Sequence, residues 1–495
     1  MKSLLSPIVE IARRTPHDQG APVINGPSVF GVSPNKPCLF TFPVCGEAPL
    51  KFEVIGNLPE GINLNQTNGR LSGKCPTEGK YTFTVKVSNA LGAAEKEFTL
   101  CVEKDKLCLT PLLGWTSWNA FTNTAALNQE TISNTAGLLV KTGLAARGYA
   151  YVNIDSSWQG KRNKETKALM ANDRFPDMKA LVDHIHSLGL KAGIYSTPMA
   201  LAWGLTEYEY LMGSYGFPLD PKYFHPYHGG CGSVSYVQYD VPQWAAWEFD
   251  YLKYDWSPIT DPEHAEEMGK ALRESDRDFV LSLCTRCQLK EIERYKACAH
   301  MYRNNNDTND NWELIAGNAF TVDEWAEHIE PGAWFDMDML ALGDIQINGG
   351  VPNRLTRDDQ ITHVAAWALF PSPIQISCDL SKIDDFILDL LSNEEILAVN
   401  QDYPAKGAVC VRNIEERSPD RKVTGSERIY RRELSDGRVV FGFFNTGDFE
   451  RTITYDLGAE YNLRDLWARR DLGKAREVTM VLPPHGSRII AASNI

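Results

Sequence analysis

Phe249-Asp250-Tyr251-Leu252-Lys253-Tyr254-Asp255-Trp256 is the stretch whose reading decides the fold. Apolar and aromatic residues make a short buried strand, and alternation along it puts Lys253 and Asp255 on one face at its end. A second run, His300 to Asp307, ends in another aspartate with Arg303 four residues before it. Chemistry delivered at strand ends is the habit of a parallel barrel.

Working outward, strands and helices alternate from Leu109 to about Pro404. Eight strand candidates stand out: Leu112 to Trp118, Tyr149 to Asp155, Lys191 to Ser196, Asp250 to Trp256, Phe279 to Thr285, His300 to Asp307, Ala333 to Leu340 and Pro373 to Asp379. Amphipathic stretches such as Asp261 to Glu274 and Arg357 to Leu369 separate them. The pattern predicts a (β/α)8 TIM barrel. A doubly wound sheet would want a glycine-rich first turn, which is absent. The long connection Thr197 to Tyr239, rich in Tyr, Gly, Pro and His, is expected to wall the mouth of the site.

Short alternating runs flank the barrel on both sides. Residues 23 to 104 read as an N-terminal immunoglobulin-like β-sandwich after an extension over 1 to 22, the barrel takes 108 to 403, and 404 to 495 read as a C-terminal antiparallel β-sandwich. The 495 residues, 43% hydrophobic, suffice for several cores. A formal charge of −14 without a basic cluster argues against a nucleic acid partner. Pro7, Glu10, Arg13 and Arg14 interrupt any apolar leader, so neither a signal peptide nor a membrane span is expected. Eleven cysteines, an odd number, read as reduced thiols filling a core. Cys284 and Cys287 form a lone pair without the second pair that a zinc site needs.

Acids crowd the strand ends: Asp155, Asp255, Asp307, Asp336 with Asp338, and Asp379. Any single one could be a helix cap, but several on one face repel unless a cation or sugar hydroxyls satisfy them. Two such carboxylates suit glycoside hydrolysis, one attacking the anomeric carbon and one protonating the leaving oxygen. Lys253 should keep Asp255 ionised, while burial and negative neighbours should hold a proton on Asp307. Of the aromatics near strand ends, Trp115 and Trp158 are the choices for stacking on a sugar face.

Gly114-Trp115-Thr116-Ser117-Trp118-Asn119, Tyr151-Val152-Asn153-Ile154-Asp155, Arg174 to Lys179, Leu188 to Ser196, Tyr251 to Asp255 and Asp336-Met337-Asp338-Met339-Leu340, in that order, resemble glycoside hydrolase family 27, the α-galactosidase (melibiase) group. The segment Asn57 to Gly73 resembles the immunoglobulin-like modules found beside bacterial carbohydrate enzymes. The first resemblance implies a retaining, exo-acting enzyme with Asp255 as nucleophile and Asp307 as acid/base. It also implies that Asp155, Lys253 and Arg303 hold sugar hydroxyls, with Trp115, Tyr195 and Trp334 lining the pocket. Ser156, Trp158, Thr285 and Asp338 complete the expected substrate-contacting set, and no metal or cofactor is expected.

Two departures bear on the sugar. Relatives that act on galactose pair two aspartates followed by a cysteine where this chain has Asp155-Ser156-Ser157, and an acid and a tryptophan follow the cysteine where it has Thr285-Arg286. The family's bridge-forming cysteines are replaced by Ser157 and Ser257, which favours a cytoplasmic location. The expected partner is a carbohydrate substrate, and a homo-oligomer is compatible with the chain. Competing readings keep the machinery and change the sugar (a β-L-arabinopyranosidase, an α-N-acetylgalactosaminidase or an isomaltose-releasing enzyme). Others change the class, to a magnesium barrel using Asp155, Asp255 and Asp338 or to a non-catalytic carbohydrate-binding protein.

Overall fold

The computed structural model describes residues 3–122, 125–199, 213–223, 230–256, 261–303, 305–417, 419 and 423–495. Its centre is an eight-stranded parallel sheet: β1 (Leu113–Thr116), β2 (Tyr151–Ile154), β3 (Lys191–Ser196), β4 (Tyr251–Asp255), β5 (Val280–Cys284), β6 (Met301–Tyr302), β7 (Trp334–Phe335) and β8 (Ile374–Ile376). Consecutive strands from β1 to β7 pair in parallel and β8 returns beside β1. A parallel bridge from Leu340 to Ile376, with the Leu340 N–H donating to Gln375 O at 2.8 Å, closes the ring. This is the expected barrel.

Among the described residues, helices alternate with the strands: α1 (Gln129–Lys141), α2 (Met178–Ser187), α3 (Val237–Ala246), α4 (Glu263–Glu274), α5 (Ile292–Lys296), α6 (Trp312–Ala319), α7 (Arg357–Leu369) and α8 (Asp385–Leu391). Thr356 and Asp359 close a reciprocal capping box at the start of α7. Inside the barrel the side chains stack in layers, and one layer needs a glycine. A Cβ on Gly193 would come within 1.9 Å of Asn153 Oδ1.

Two strands are much shorter than their sequence runs. β6 stops at Tyr302 and β7 at Phe335; residues 305–307 and 336–339 lie outside the strands, before Leu340 returns to bridge β8. Asp338, in the second of these, has φ +78, a costly backbone for a residue with a side chain. The described part of the long connection after β3 is a hairpin, Tyr215–Leu219 with Gly232–Ser235. Tyr215 and Ser235 both donate hydroxyl hydrogen bonds to Glu267 of α4, which pins the hairpin beside β4. Residues 200–212 and 224–229 of that connection lie outside the described residues.

The immunoglobulin-like region sets a four-stranded sheet against a three-stranded one around Phe40, Phe42, Phe83, Phe98 and Leu100. It sits under the barrel, against the loops that enter the strands. Thr41 Oγ1 donates to Gly189 O at 2.9 Å, Asn25 Nδ2 to Ala146 O at 2.9 Å and Ser33 N to Asp278 Oδ2 at 2.7 Å. The region is therefore on the face opposite the strand ends that carry the acids.

Six antiparallel strands from Val409 to Ser493 form the C-terminal sheet. Alternation divides their side chains between two cores. Tyr430, Val440, Phe444 and Ile489 pack with the barrel, while Ile429, Phe441, Phe443 and Ile490 face the sheet's own interior. The N-terminal extension is more than a tail. Ser3–Leu5 adds a seventh, parallel strand to the edge of this sheet, and Arg14 binds Asp385 and Asp389 at 2.7 Å each. No helix among the described residues is long and apolar enough to cross a membrane.

Phe98 is fully buried between Phe40, Phe42 and Phe83, so Phe98→Ala should cost about 3–5 kcal/mol of stability in the immunoglobulin-like region. Denaturant unfolding should show the loss, and KM under native conditions should stay at the wild-type value because the region faces away from the acids.

Candidate active site

The top of β4 delivers Lys253 and Asp255 into the barrel mouth. Register places Lys253 beside Tyr195 of β3 and Asp255 beside Cys284 of β5. The Lys253 ammonium donates to Asp155 Oδ2 at 2.8 Å, just past β2, and lies 5.6 Å from the centre of the Tyr195 ring. The Tyr195 hydroxyl donates to Asp255 Oδ2 at 3.3 Å. Asp155 is also anchored by its backbone, whose N–H donates to Ser117 Oγ at 2.9 Å beyond β1. Three strand ends thus meet through Asp155, Lys253, Tyr195 and Asp255, and Ser117 ties in the end of β1.

Arg303, immediately after β6, is buried and joins the other half. One guanidinium nitrogen lies 3.0 Å from Asp338 Oδ1 and donates to Cys284 Sγ at 3.0 Å; the other donates to Asp307 Oδ1 at 2.8 Å. The loop bearing Asp307 is held on both sides. Thr308 N donates to Asp338 Oδ2 at 2.6 Å, Asn119 Nδ2 to Thr308 O at 3.0 Å, and Asn318 Nδ2 to Asn306 O at 2.9 Å. Asp336 is buried and accepts the Asp338 N–H at 2.8 Å. These side chains were expected together, and the structure brings them together.

The electrostatics differ from the expectation. Burial pushes the Asp255 carboxyl up to about 6, with Lys253 and Arg303 opposing and the charges of Asp307 and Asp155 adding. Asp307 shifts the other way. The surrounding protein acts to raise it, but Arg303 above all, with Lys253 and Arg286, outweighs that and holds it below the usual carboxylate range. Its side chain is 60% exposed, so water shares in stabilising the charge. Lys253 was expected to keep Asp255 ionised; its direct ion pair is with Asp155, at 2.8 Å. Asp336, buried beside Asp338, also rises to about 6.

Not every acid on the list joins. Asp379 accepts from Ser381 N at 3.0 Å and Ser381 Oγ at 2.6 Å, the helix-capping role that a strand-end aspartate often has. Asp250, at the other end of β4, is held ionised at the barrel floor: burial acts upward, but Lys191, His186 and Arg277 overcome it.

Three aromatic expectations are corrected. Trp115, Trp158 and Trp334 have no exposed surface, and each indole N–H is spent on a main-chain carbonyl, of Cys378, Tyr195 and Cys108 at 2.8, 2.9 and 2.7 Å. They are core residues with no ring face to offer a ligand, and Trp334 points towards the chain segment that enters the barrel. Trp118 was passed over. It is partly exposed and follows Ser117, the residue that anchors Asp155. Its place beyond the last strand residue was the available signal.

Ser156 and Thr285 are buried beside Asp155 and Cys284. Ser157 is buried with φ +84, and Ser257 lies outside the described residues. Cys284 serves Arg303 as an acceptor, and none of the eleven cysteines is in a disulfide. A magnesium ion on Asp155, Asp255 and Asp338 would have to displace Lys253, Tyr195 and Arg303, which already hold those oxygens.

A family model described as alpha galactosidase A matches residues 110–216 and 222–402. The chain belongs to the alpha-galactosidase (melibiase) family, glycoside hydrolase family 27. It is a glycosyl hydrolase by that membership. The alpha galactosidase C-terminal beta sandwich domain matches 424–492 and an Ig-domain model matches 21–103. Alpha-galactosidase 2 of Arabidopsis thaliana is 32% identical over 422 residues, 83% of this chain and 95% of that protein. Among solved structures, a Bacteroides fragilis protein superposes with a TM-score of 0.83 at 27% identity, over 97% of this chain and 99% of the other. A β-L-arabinopyranosidase from Geobacillus stearothermophilus gives 0.67 at 26%, over 78% and 98%.

If the Asp255 carboxylate must be ionised to react, kcat/KM should rise with pH through a limb near 6 and fall away below it. Lys253→Met removes a charge that lowers this value, so the limb should move to higher pH. A limb at 4 in the wild type, or one unmoved in the variant, would contradict the assignment.

Proposed function

We propose that the protein is a retaining, exo-acting glycosidase that removes terminal α-linked galactose from oligo- or polysaccharides, with Asp255 as nucleophile and Asp307 as acid/base. The observation that carries this reading is the coupling of the two carboxyls. Each sits at the end of a different strand, and the charge of Asp307 contributes to the raised pKa of Asp255. Double displacement needs two such groups about 5–5.5 Å apart across the glycosidic bond.

In the first step Asp255 bonds to the anomeric carbon while the bond to the leaving oxygen breaks, and Asp307 gives that oxygen its proton. In the second, Asp307 takes a proton from water, whose oxygen replaces Asp255 at carbon. The protonation bias between the two carboxyls has to reverse for this. A sugar hydroxyl that takes over the Arg303 donor now spent on Asp307 leaves Asp307 among negative neighbours, which favours its protonated form. Once Asp255 is esterified its charge is gone, so the pKa of Asp307 falls and the carboxylate left by the first step stays ionised to serve as base.

Asp155, with Lys253 beside it, supplies an acceptor and a donor for vicinal hydroxyls, and Asp338 with Arg303 supplies a second such pair. Trp118 replaces the buried tryptophans as the ring available to the sugar. Ser156 favours a second reading. An uncharged serine where galactose-specific relatives carry a carboxylate weakens the grip on the hydroxymethyl arm, and a β-L-arabinopyranoside is the same ring without that arm.

Asp255→Asn should lower turnover by roughly 10⁴-fold or more, the order seen when a covalent nucleophile is removed, with sugar binding retained in calorimetry. Proton NMR of early product should show the α-anomer of galactose. The β-anomer appearing first would refute double displacement, and faster cleavage of nitrophenyl β-L-arabinopyranoside than of the α-galactoside would move the substrate to the second reading.

A further inference from the structure

Arg286 lies at the mouth of the barrel, and its surroundings give a use for its charge. It follows Thr285 at the top of β5, is exposed, and donates from one terminal nitrogen to Asn306 Oδ1 at 2.6 Å. Asn306 is also exposed and precedes Asp307 in the chain. Lys253 and Arg303 are both neutralised by carboxylates within 3.0 Å. No carboxylate among the described residues lies within ion-pair distance of Arg286, whose bonded partner is a neutral amide. Its charge reaches Asp307 only through space and is taken up by no direct ion pair among the described residues, on the rim of an acidic site in a chain of net charge −14.

Position says which part of a substrate it meets. The proton donor faces the leaving oxygen, so side chains on the solvent side of Asp307 border the group that leaves. The sugar being held lies deeper, towards Asp155 and Lys253. We propose that Arg286 is a specificity-determining residue of the leaving-group side, receiving a carboxylate or sulfate on the released saccharide, so that the preferred substrates are α-galactosides of acidic sugars. This rests on the assignment of Asp307 as acid/base made above. A guanidinium presents a planar fork that matches either anion through two parallel hydrogen bonds, and Asn306 fixes one edge of the fork in advance. The competing explanation is that Arg286 merely offsets the surplus of acids and acts only on Asp307.

Paired leaving groups separate the two. Wild type, Arg286→Gln and Arg286→Lys would be assayed on 3-carboxyphenyl α-galactoside against its carboxamide, and on the 3-sulfated against the 3-methoxyphenyl compound. The expected result is a wild-type kcat/KM ratio, charged over neutral, of about fivefold or more at low ionic strength, shrinking with added salt. It should collapse to near one in the Gln variant and survive in part in the Lys variant. The pair with the larger ratio identifies the anion. A wild-type ratio near one overturns the proposal. So does a Gln variant that keeps the ratio while its pH profile shifts equally for both members of a pair, since that is the signature of action on Asp307 alone. Failure to cleave any α-galactoside would overturn the sugar assignment instead, and the same paired leaving groups on the sugar that is cleaved would then decide the role of Arg286.

Discussion

One buried guanidinium, that of Arg303, closes the top of the barrel. It touches the last residue of β5 through Cys284, its own loop through Asp307 and the loop after β7 through Asp338. Taking an ion out of water costs several kcal/mol, and the cost is recovered only where geometry and partners are nearly complete. That requirement dictates much of what surrounds it: the early end of β6, the positive φ at Asp338, and the amide clamps from Asn119 and Asn318 on the intervening loop. Lys253 does for Asp155 and Asp255 what Arg303 does for Asp307 and Asp338. Acids gathered for chemistry oblige the fold to gather cations with them.

β4 shows how one strand can serve both ends of the barrel. Asp250 at its foot has Lys191, Arg277 and the His186 ring about it and is locked as an anion. Asp255 at its head has its nearest cation shared with another acid and stays close to the neutral range. The immunoglobulin-like region covers the foot, so that end carries stability and the other carries reactivity. Substitutions in the two places should therefore be felt in different measurements.

The barrel was legible in the sequence because buried parallel strands are continuous apolar runs, and amphipathic helices with caps separate them. The charged site was legible for a related reason, since residues two apart on a strand share a face and Lys253 and Asp255 had to arrive together. Orientation of the tryptophans was not legible. Trp115 and Trp118 both flank the end of β1, and only the point at which the strand stops decides which ring turns inward to give its N–H to Cys378. Pairing of Ser3–Leu5 with a strand more than 470 residues later leaves no local trace. Asp379 looked like its neighbours until the turn that follows it was seen to need a cap.

The protonation of the two carboxyls was the least legible feature, because it depends on distances among side chains from four strands. Asp255 is drawn up and Asp307 held down, the opposite of what the proposed roles require, and because the two carboxyls interact their titrations are linked. Arg303 bonds Asp307 and stabilises that anion. In the proposed mechanism a hydroxyl of the substrate competing for the same donor would withdraw that stabilisation, so that the sugar itself would set the protonation that its cleavage requires.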